Sequence, residues 1–143
     1  LSHSFILQPG RWIGTGTISF SASPEHIPFR TCWTIDTPEN GVICCRQFVE
    51  MDLLDENVNH FTFHSFHDGN FKVTLENQLF GTIQGRGIVD HPALAWEFHE
   101  RGGMQGFELY ELQENGDYTL HAEYYAEEFF RTIIDGRIWR KEV

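Results

Sequence analysis

Met104-Gln105-Gly106-Phe107-Glu108-Leu109-Tyr110-Glu111-Leu112-Gln113-Glu114-Asn115-Gly116-Asp117-Tyr118-Thr119-Leu120-His121-Ala122-Glu123-Tyr124-Tyr125-Ala126 is two aromatic-rich runs around one Asn-Gly pair. Both central residues of a type I′ turn need positive φ, which Asn and Gly tolerate, so the stretch predicts an antiparallel hairpin. A two-residue loop puts Phe107, Leu109, Tyr118, Leu120, Ala122 and Tyr124 on one face. Glu108, Tyr110, Thr119, His121, Glu123 and Tyr125 share the other, with Glu108 opposing Glu123 and Tyr110 opposing His121. The second face is read in two ways. It is a polar exterior, or it lines a cavity in which Tyr110, His121, Glu108 and Glu123 form an acid/base set, one carboxyl raised by its like-charged neighbour.

The same punctuation recurs along the chain: Asn40-Gly41, Asp68-Gly69, Asp90-His91-Pro92, Arg101-Gly102-Gly103 and Asp135-Gly136. The runs between are rich in Val, Ile, Thr, Phe, Tyr and Trp, and no stretch shows a capped helical period. Strands are expected at about 12–21, 29–37, 42–52, 58–67, 70–76, 79–89, 93–99, 104–113, 117–126, 129–135 and 137–142. A meander of about ten strands with tight turns removes its edges by closing. The expected fold is all-β: one domain over residues 1–143, a lipocalin-like, up-and-down antiparallel barrel.

The chain has 143 residues, 41% hydrophobic and 15% aromatic, enough for one ordinary core. Ten Lys and Arg face 21 Asp and Glu, a formal charge of -11. That disfavours nucleic acid and anionic membrane surfaces, which are bound through clustered cations. No apolar run reaches the roughly 18 residues of a membrane helix. Cys32, Cys44 and Cys45 are odd in number and two are adjacent, unlike a secreted disulfide framework, so a reducing, cytoplasmic compartment is expected. The first residue is Leu1 rather than Met, which leaves a cleaved signal peptide open.

Two further hairpins assign faces by the same rule. With Asp68-Gly69 as the loop, Phe66 opposes Phe71 and His64 opposes Val73 on an inward face, while Phe61 and Phe63 turn outward; a three-residue loop would invert this. Around Asn40-Gly41, Trp33, Ile35, Cys44, Arg46 and Phe48 share a face expected to be interior. Arg46 there needs an acid partner, from the protein or a ligand, or a place at the rim with its head in water. His60 and His64 are on the order of 13 Å apart along a regular strand and His67 points the other way, so no metal site is expected. Cys44 and Cys45 fall on opposite faces and read as structural thiols.

The first strand, Gly10-Arg11-Trp12-Ile13-Gly14-Thr15-Gly16, and the basic last strand, Arg137-Ile138-Trp139-Arg140-Lys141, resemble the calycin superfamily of lipocalins, fatty-acid-binding proteins and avidins. The resemblance implies that Trp12 closes one barrel end and that Arg137 or Arg140 packs across it, an indole being a good platform for a guanidinium. The longer Gly-x-Trp-x-Gly-x-Gly pattern resembles nitrobindin-type barrels. That likeness implies haem held by a histidine near the C-terminus, whereas the last histidine here, His121, lies well inside the chain. The chromophore-attaching bilin lyases begin with a similar Gly-x-Trp element. Only Ala22 to Pro28 stand where fatty-acid-binding proteins carry a helical lid, and the C-terminal helix of secreted lipocalins has no counterpart.

The leading functional expectation is a non-catalytic carrier or sensor of a small hydrophobic or acidic ligand, without a bound cofactor. Its wall comprises Trp33, Arg46, His64, Phe66, Phe71, Val73 and Trp96, residues that would pack a core in any case. The alternatives are an isomerase, lyase or decarboxylase built on Tyr110, His121, Glu108 and Glu123, a haem- or chromophore-binding barrel, and an interaction module, a homodimer joined through outward Phe61 and Phe63.

Overall fold

An alternating run becomes a strand when one set of its side chains leaves water and the other set keeps to it. The computed structural model describes residues 2–51, 56–79, 81–100, 103–127 and 130–142. Its strands are β1 (Gly10–Phe20), β2 (Ser23–Ile35), β3 (Ile43–Met51), β4 (Asn57–His67), β5 (Asn70–Asn77), β6 (Gly81–Val89), β7 (Ala93–His99), β8 (Gln105–Leu112), β9 (Tyr118–Glu127) and β10 (Phe130–Arg140). Each pairs antiparallel with the next and β1 pairs with β10, closing an up-and-down barrel of ten strands. Among the described residues no helix is long and apolar enough to cross a membrane.

Most strand ends fall within about two residues of expectation, and two differences are larger. The segments expected at 129–135 and 137–142 are one strand, β10, because Gly136 marks a close approach rather than a turn: it stands opposite Gly16 at the β1–β10 seam. Strand β2 begins at Ser23, ahead of residue 29, so only Ser21 and Ala22 connect it to β1.

Three registers also differ, each through one extra residue. At Asn40-Gly41 the tight turn forms, with φ of 52° and 76° and Glu39 paired to Val42. Asp36 N–H then donates to the Cys44 carbonyl at 2.9 Å. Thr37 and Pro38 therefore separate the paired positions on one arm and Ile43 alone does so on the other. At Asp68-Gly69, His67 opposes Asn70 as a two-residue loop requires, but a bulge follows between His64 and His67, with Ser65 at φ 56°. At Asn115-Gly116 the Gln113 N–H donates to the Asp117 carbonyl at 2.8 Å, which makes the loop three residues, Glu114 to Gly116.

Each inversion reassigns a set of side chains. Trp33 opposes Gln47 and Ile35 opposes Cys45, so Cys45 and Gln47 point inward while Cys44 and Arg46 face solvent. Phe61 opposes Leu75 and Phe63 opposes Val73, so both phenylalanines are buried, and His64 lies outside against Lys72. Phe66 is 38% exposed. The expectations of inward Arg46, His64 and Phe66, and of an outward Phe61–Phe63 subunit interface, are thereby corrected. In the third hairpin Glu108 opposes Ala122 and Tyr110 opposes Leu120, not Glu123 and His121.

The end of the barrel where β1 begins is plugged. A turn closed by Gln8 N–H to the Ser4 carbonyl, 3.0 Å, drives Phe5 and Ile6 fully out of water. The Phe5 ring meets Trp12 edge-on at 5.4 Å and Trp33 at 5.1 Å, and Trp33, Phe61, Phe63, Trp96 and Tyr110 continue the aromatic core beneath. Arg140 opposes Trp12 in the β1–β10 register, and its guanidinium donates to the Pro9 carbonyl at 3.1 Å. Arg137 faces outward, 4.9 Å over the Trp139 ring.

Candidate functional site: a carboxyl inside the barrel

Because β8 pairs with β9 through a three-residue loop, Glu108 and Tyr110 share the inward face with Tyr118, Leu120, Ala122 and Tyr124. Glu108 is 6% exposed and Tyr110 is fully buried. The Tyr110 hydroxyl donates to one Glu108 oxygen at 2.6 Å, and the Tyr124 hydroxyl donates to the other. Burial pushes the Glu108 carboxyl above its ordinary range, against the two phenol donors that favour its ionised form. The Trp96 indole N–H is close enough to pull the same way but falls short of a hydrogen bond; Trp96 and Trp33 each keep a buried N–H without a partner. Burial raises both tyrosines well above their usual range, and the adjacent carboxyl adds to this. Both phenols therefore stay protonated as donors.

Among the described residues no cation pairs with the carboxyl, and a buried carboxyl without one is costly unless other donors reach it. Strand β3 lies five strands from β8 in either direction around the barrel, diametrically opposite. From that side a second polar group faces inward: Gln47 donates to Thr31 at 3.1 Å, Asn59 donates to Gln47 at 3.0 Å, and Asn77 donates to Asn59 at 2.7 Å and to Asn57 at 3.0 Å. The half of the barrel away from the plug thus carries inward polar groups on two opposed walls. Partly buried Phe20, Ile27, Met51, Met104, Tyr124 and Ile134 pack onto the core toward that end. An open pocket of about 770 Å³ lies at the same rim, lined by Met51, Asn57 and Asn77 and, on the outer side of the wall, by Val58, His60, Glu76 and Thr82.

The structure brings together part of what the sequence nominated. Trp33, Phe71, Val73 and Trp96 line the interior, while Arg46, His64 and Phe66 do not. The four-residue acid/base set is split, with Glu108 and Tyr110 inside and His121 and Glu123 on the outer surface. Outside, His121 Nδ1 lies 2.6 Å from Asp135 and Nε2 lies 2.9 Å from Glu123. Carboxylates only accept, so both ring nitrogens act as donors, and these bonds hold the imidazole pKa above its usual value. Such a histidine contributes stability that is complete below its ordinary pKa and disappears as pH rises through the raised one. His121→Gln is expected to cost less than about 1 kcal/mol at acidic pH, the pair being solvent-screened, and nothing at alkaline pH. Urea titrations at about pH 5.5, where both carboxylates are ionised, and at about pH 9 check this; equal cost at both would refute it.

The amide ladder escaped sequence reading. Its signal is the parity of Asn57 and Asn59 with Phe61 and Phe63, visible only once the bulge at Ser65 is known. The histidine ligation of haem implied by the nitrobindin likeness does not fit: His64 and His121 are outside, His26, His60, His67, His91 and His99 are exposed, and His3 bonds the Tyr118 hydroxyl over the plugged end. Among the described residues no three His, Cys, Asp or Glu side chains are grouped to hold a metal ion. Cys45 is buried and its thiol pKa is driven up mainly by that burial, while Cys44 is exposed on the other face.

The ten-stranded, closed up-and-down barrel with an inward tryptophan on its first strand has the fold that the calycin resemblance implied. Among solved structures it is similar to the S-type phycobiliprotein lyase CPES from Guillardia theta, with a TM-score of 0.71 over 97% of this chain and 92% of that one, at 8% sequence identity. No protein-family model matches the sequence, and comparison with curated proteins finds no match.

Proposed function

We propose that this protein binds a small, largely apolar organic molecule within the barrel and orients it through hydrogen bonds donated to Glu108, acting as a carrier or sensor. The observation that carries the reading is the buried Glu108 carboxyl, reached by two phenols and, among the described residues, by no cation. A ligand N–H group would stabilise its ionised form, and the unpartnered indole N–H of Trp33 offers a donor to a ligand carbonyl. The acidic-ligand variant loses its motive, because Arg46 faces solvent. The ring system of a linear tetrapyrrole has the required chemistry, an extended apolar body with pyrrole N–H donors and lactam oxygens, provided that its two propionates stay at the open rim in water. The likeness in fold to a phycobiliprotein lyase supports testing that class first.

Biliverdin and palmitate, titrated separately while Trp emission is followed, separate an N–H donor from a simple fatty acid. Biliverdin is expected to quench saturably and palmitate not to. Glu108→Gln keeps the side-chain shape but loses the anionic acceptor, and is expected to weaken biliverdin binding by roughly 10- to 100-fold, the worth of a charge-assisted hydrogen bond. Palmitate bound more tightly than biliverdin, or binding indifferent to Glu108→Gln, would overturn the proposal.

A further inference from the structure

A second concavity lies outside the barrel wall, over β5 to β8. Its volume is about 580 Å³, within the range of small-molecule pockets. Four outward residues in consecutive register form one side: Lys72 opposes Arg86, Arg86 opposes Glu97, and Glu97 opposes Phe107. The next outward row supplies Ile88 opposite Ala95. Between the rows β6 presents the backbone of Gly87, whose missing side chain would point inward onto Phe71, and the small Ala95 leaves the depression open. Ile88 is 46% exposed, a large apolar side chain left in water.

The charge of this groove runs against that of the chain. The protein carries a net -11 and only ten Lys and Arg, yet two of these stand side by side here, and among the described residues lining the groove Glu97 is the single carboxylate. Arg86 gives its Nε to Glu97 at 2.9 Å. Among the described residues the Lys72 ammonium has no ion-pair partner. Two cations against one carboxylate leave a local excess of one positive charge beside an apolar wall of Ile88, Ala95 and Phe107.

We propose that this groove is a second binding site, for an amphipathic organic monoanion whose apolar body lies on Ile88, Ala95 and Phe107 and whose acid group meets Lys72 and the free edge of Arg86. None of its charged residues enters the barrel, and its floor at the Gly87 gap is formed by Phe71 and Trp96, whose rings belong to the core. Its apolar depth is shallow and its charge modest, so it suits a compact ring system carrying one sulfonate or carboxylate better than a long acyl chain.

The test compares 8-anilinonaphthalene-1-sulfonate with uncharged N-phenyl-1-naphthylamine, the same ring system without the sulfonate, by their fluorescence on titration with the whole protein. The expected result is saturable binding of the sulfonate, weakened roughly five- to ten-fold by Lys72→Gln combined with Arg86→Gln, with the neutral dye unaffected by that pair. Ala95→Phe, which fills the groove without touching a charge, is expected to weaken both dyes, and Glu108→Gln neither. Far-UV circular dichroism confirms that each variant keeps its strands. No saturation of the sulfonate by about 1 mM overturns the proposal. So does sulfonate binding that ignores the groove variants or depends on Glu108.

Discussion

Gly16→Val is expected to abolish cooperative folding, or to destabilise the protein by more than roughly 4 kcal/mol, the range reserved for severe steric faults. Gly16 faces inward at the seam where the barrel closes. A Cβ there would lie 2.2 Å from the Asp135 carbonyl oxygen, 2.7 Å from the Gly136 Cα and 2.7 Å from the Phe29 ring. Two of these atoms belong to backbone, which cannot step aside without parting β1 from β10, and the pairing of those strands is what closes the sheet. Thr17→Val, at the exposed adjacent position, should change stability by less than about 0.5 kcal/mol. Urea unfolding followed by tryptophan emission distinguishes the two; a Gly16→Val protein within about 1 kcal/mol of the parent would show that the seam is not tight.

Glu108→Gln should make the protein more stable, increasingly so as pH rises. Burial raises the Glu108 carboxyl pKa in the folded state, while in the unfolded chain it ionises near its ordinary value of 4.5. Below that value both states are protonated and the group costs nothing extra. Between the two values the folded state holds a proton that the unfolded chain has lost, so stability falls as pH rises through the window and levels off above the raised value. The amide removes this loss, about 1.4 kcal/mol for each unit by which folding raises the carboxyl, while its oxygen and N–H₂ can still bond the two phenols. Because His121 titrates nearby, the comparison is best made in a His121→Gln background, by unfolding free energies from about pH 5 to about pH 8. A difference that stays flat across that interval would mean the buried carboxyl is already stabilised as an anion, and the argument for a donor-bearing ligand would fall with it. A gain in stability combined with a loss of biliverdin binding would separate the role of Glu108 in recognition from any role in folding.

The strands and their order could be read from local chemistry. Asn40-Gly41, Asp68-Gly69 and Asn115-Gly116 each mark a real hairpin, and the β-branched and aromatic runs between turns are strands. Aromatic residues on one parity of each run supplied the core, and Trp33, Trp96, Phe71 and Val73 reach it as expected. The Arg101-Gly102 part of one turn signal lies outside the described residues. Asp135-Gly136, an apparent turn that is none, shows the limit of that chemistry: glycine serves a turn and a close backbone approach equally well, and only the neighbouring strand tells them apart.

The sequence by itself therefore determined the antiparallel meander and the turn positions, because positive φ at Asn-Gly and alternation with period two are short-range constraints. Which face of each strand looks inward was decided by tertiary structure. One residue inverts a strand's entire assignment, and the extra residue at Thr37-Pro38, at Ser65 and in the loop of Glu114 to Gly116 is invisible to a rule that counts from the turn. Those placements hold because the inward aromatics of ten strands must fill one interior together. The same inversions turn Arg46 and His121 out to water and bring Glu108 in beside Tyr110 and Tyr124. The candidate site is thus a product of barrel closure, which no single hairpin contains.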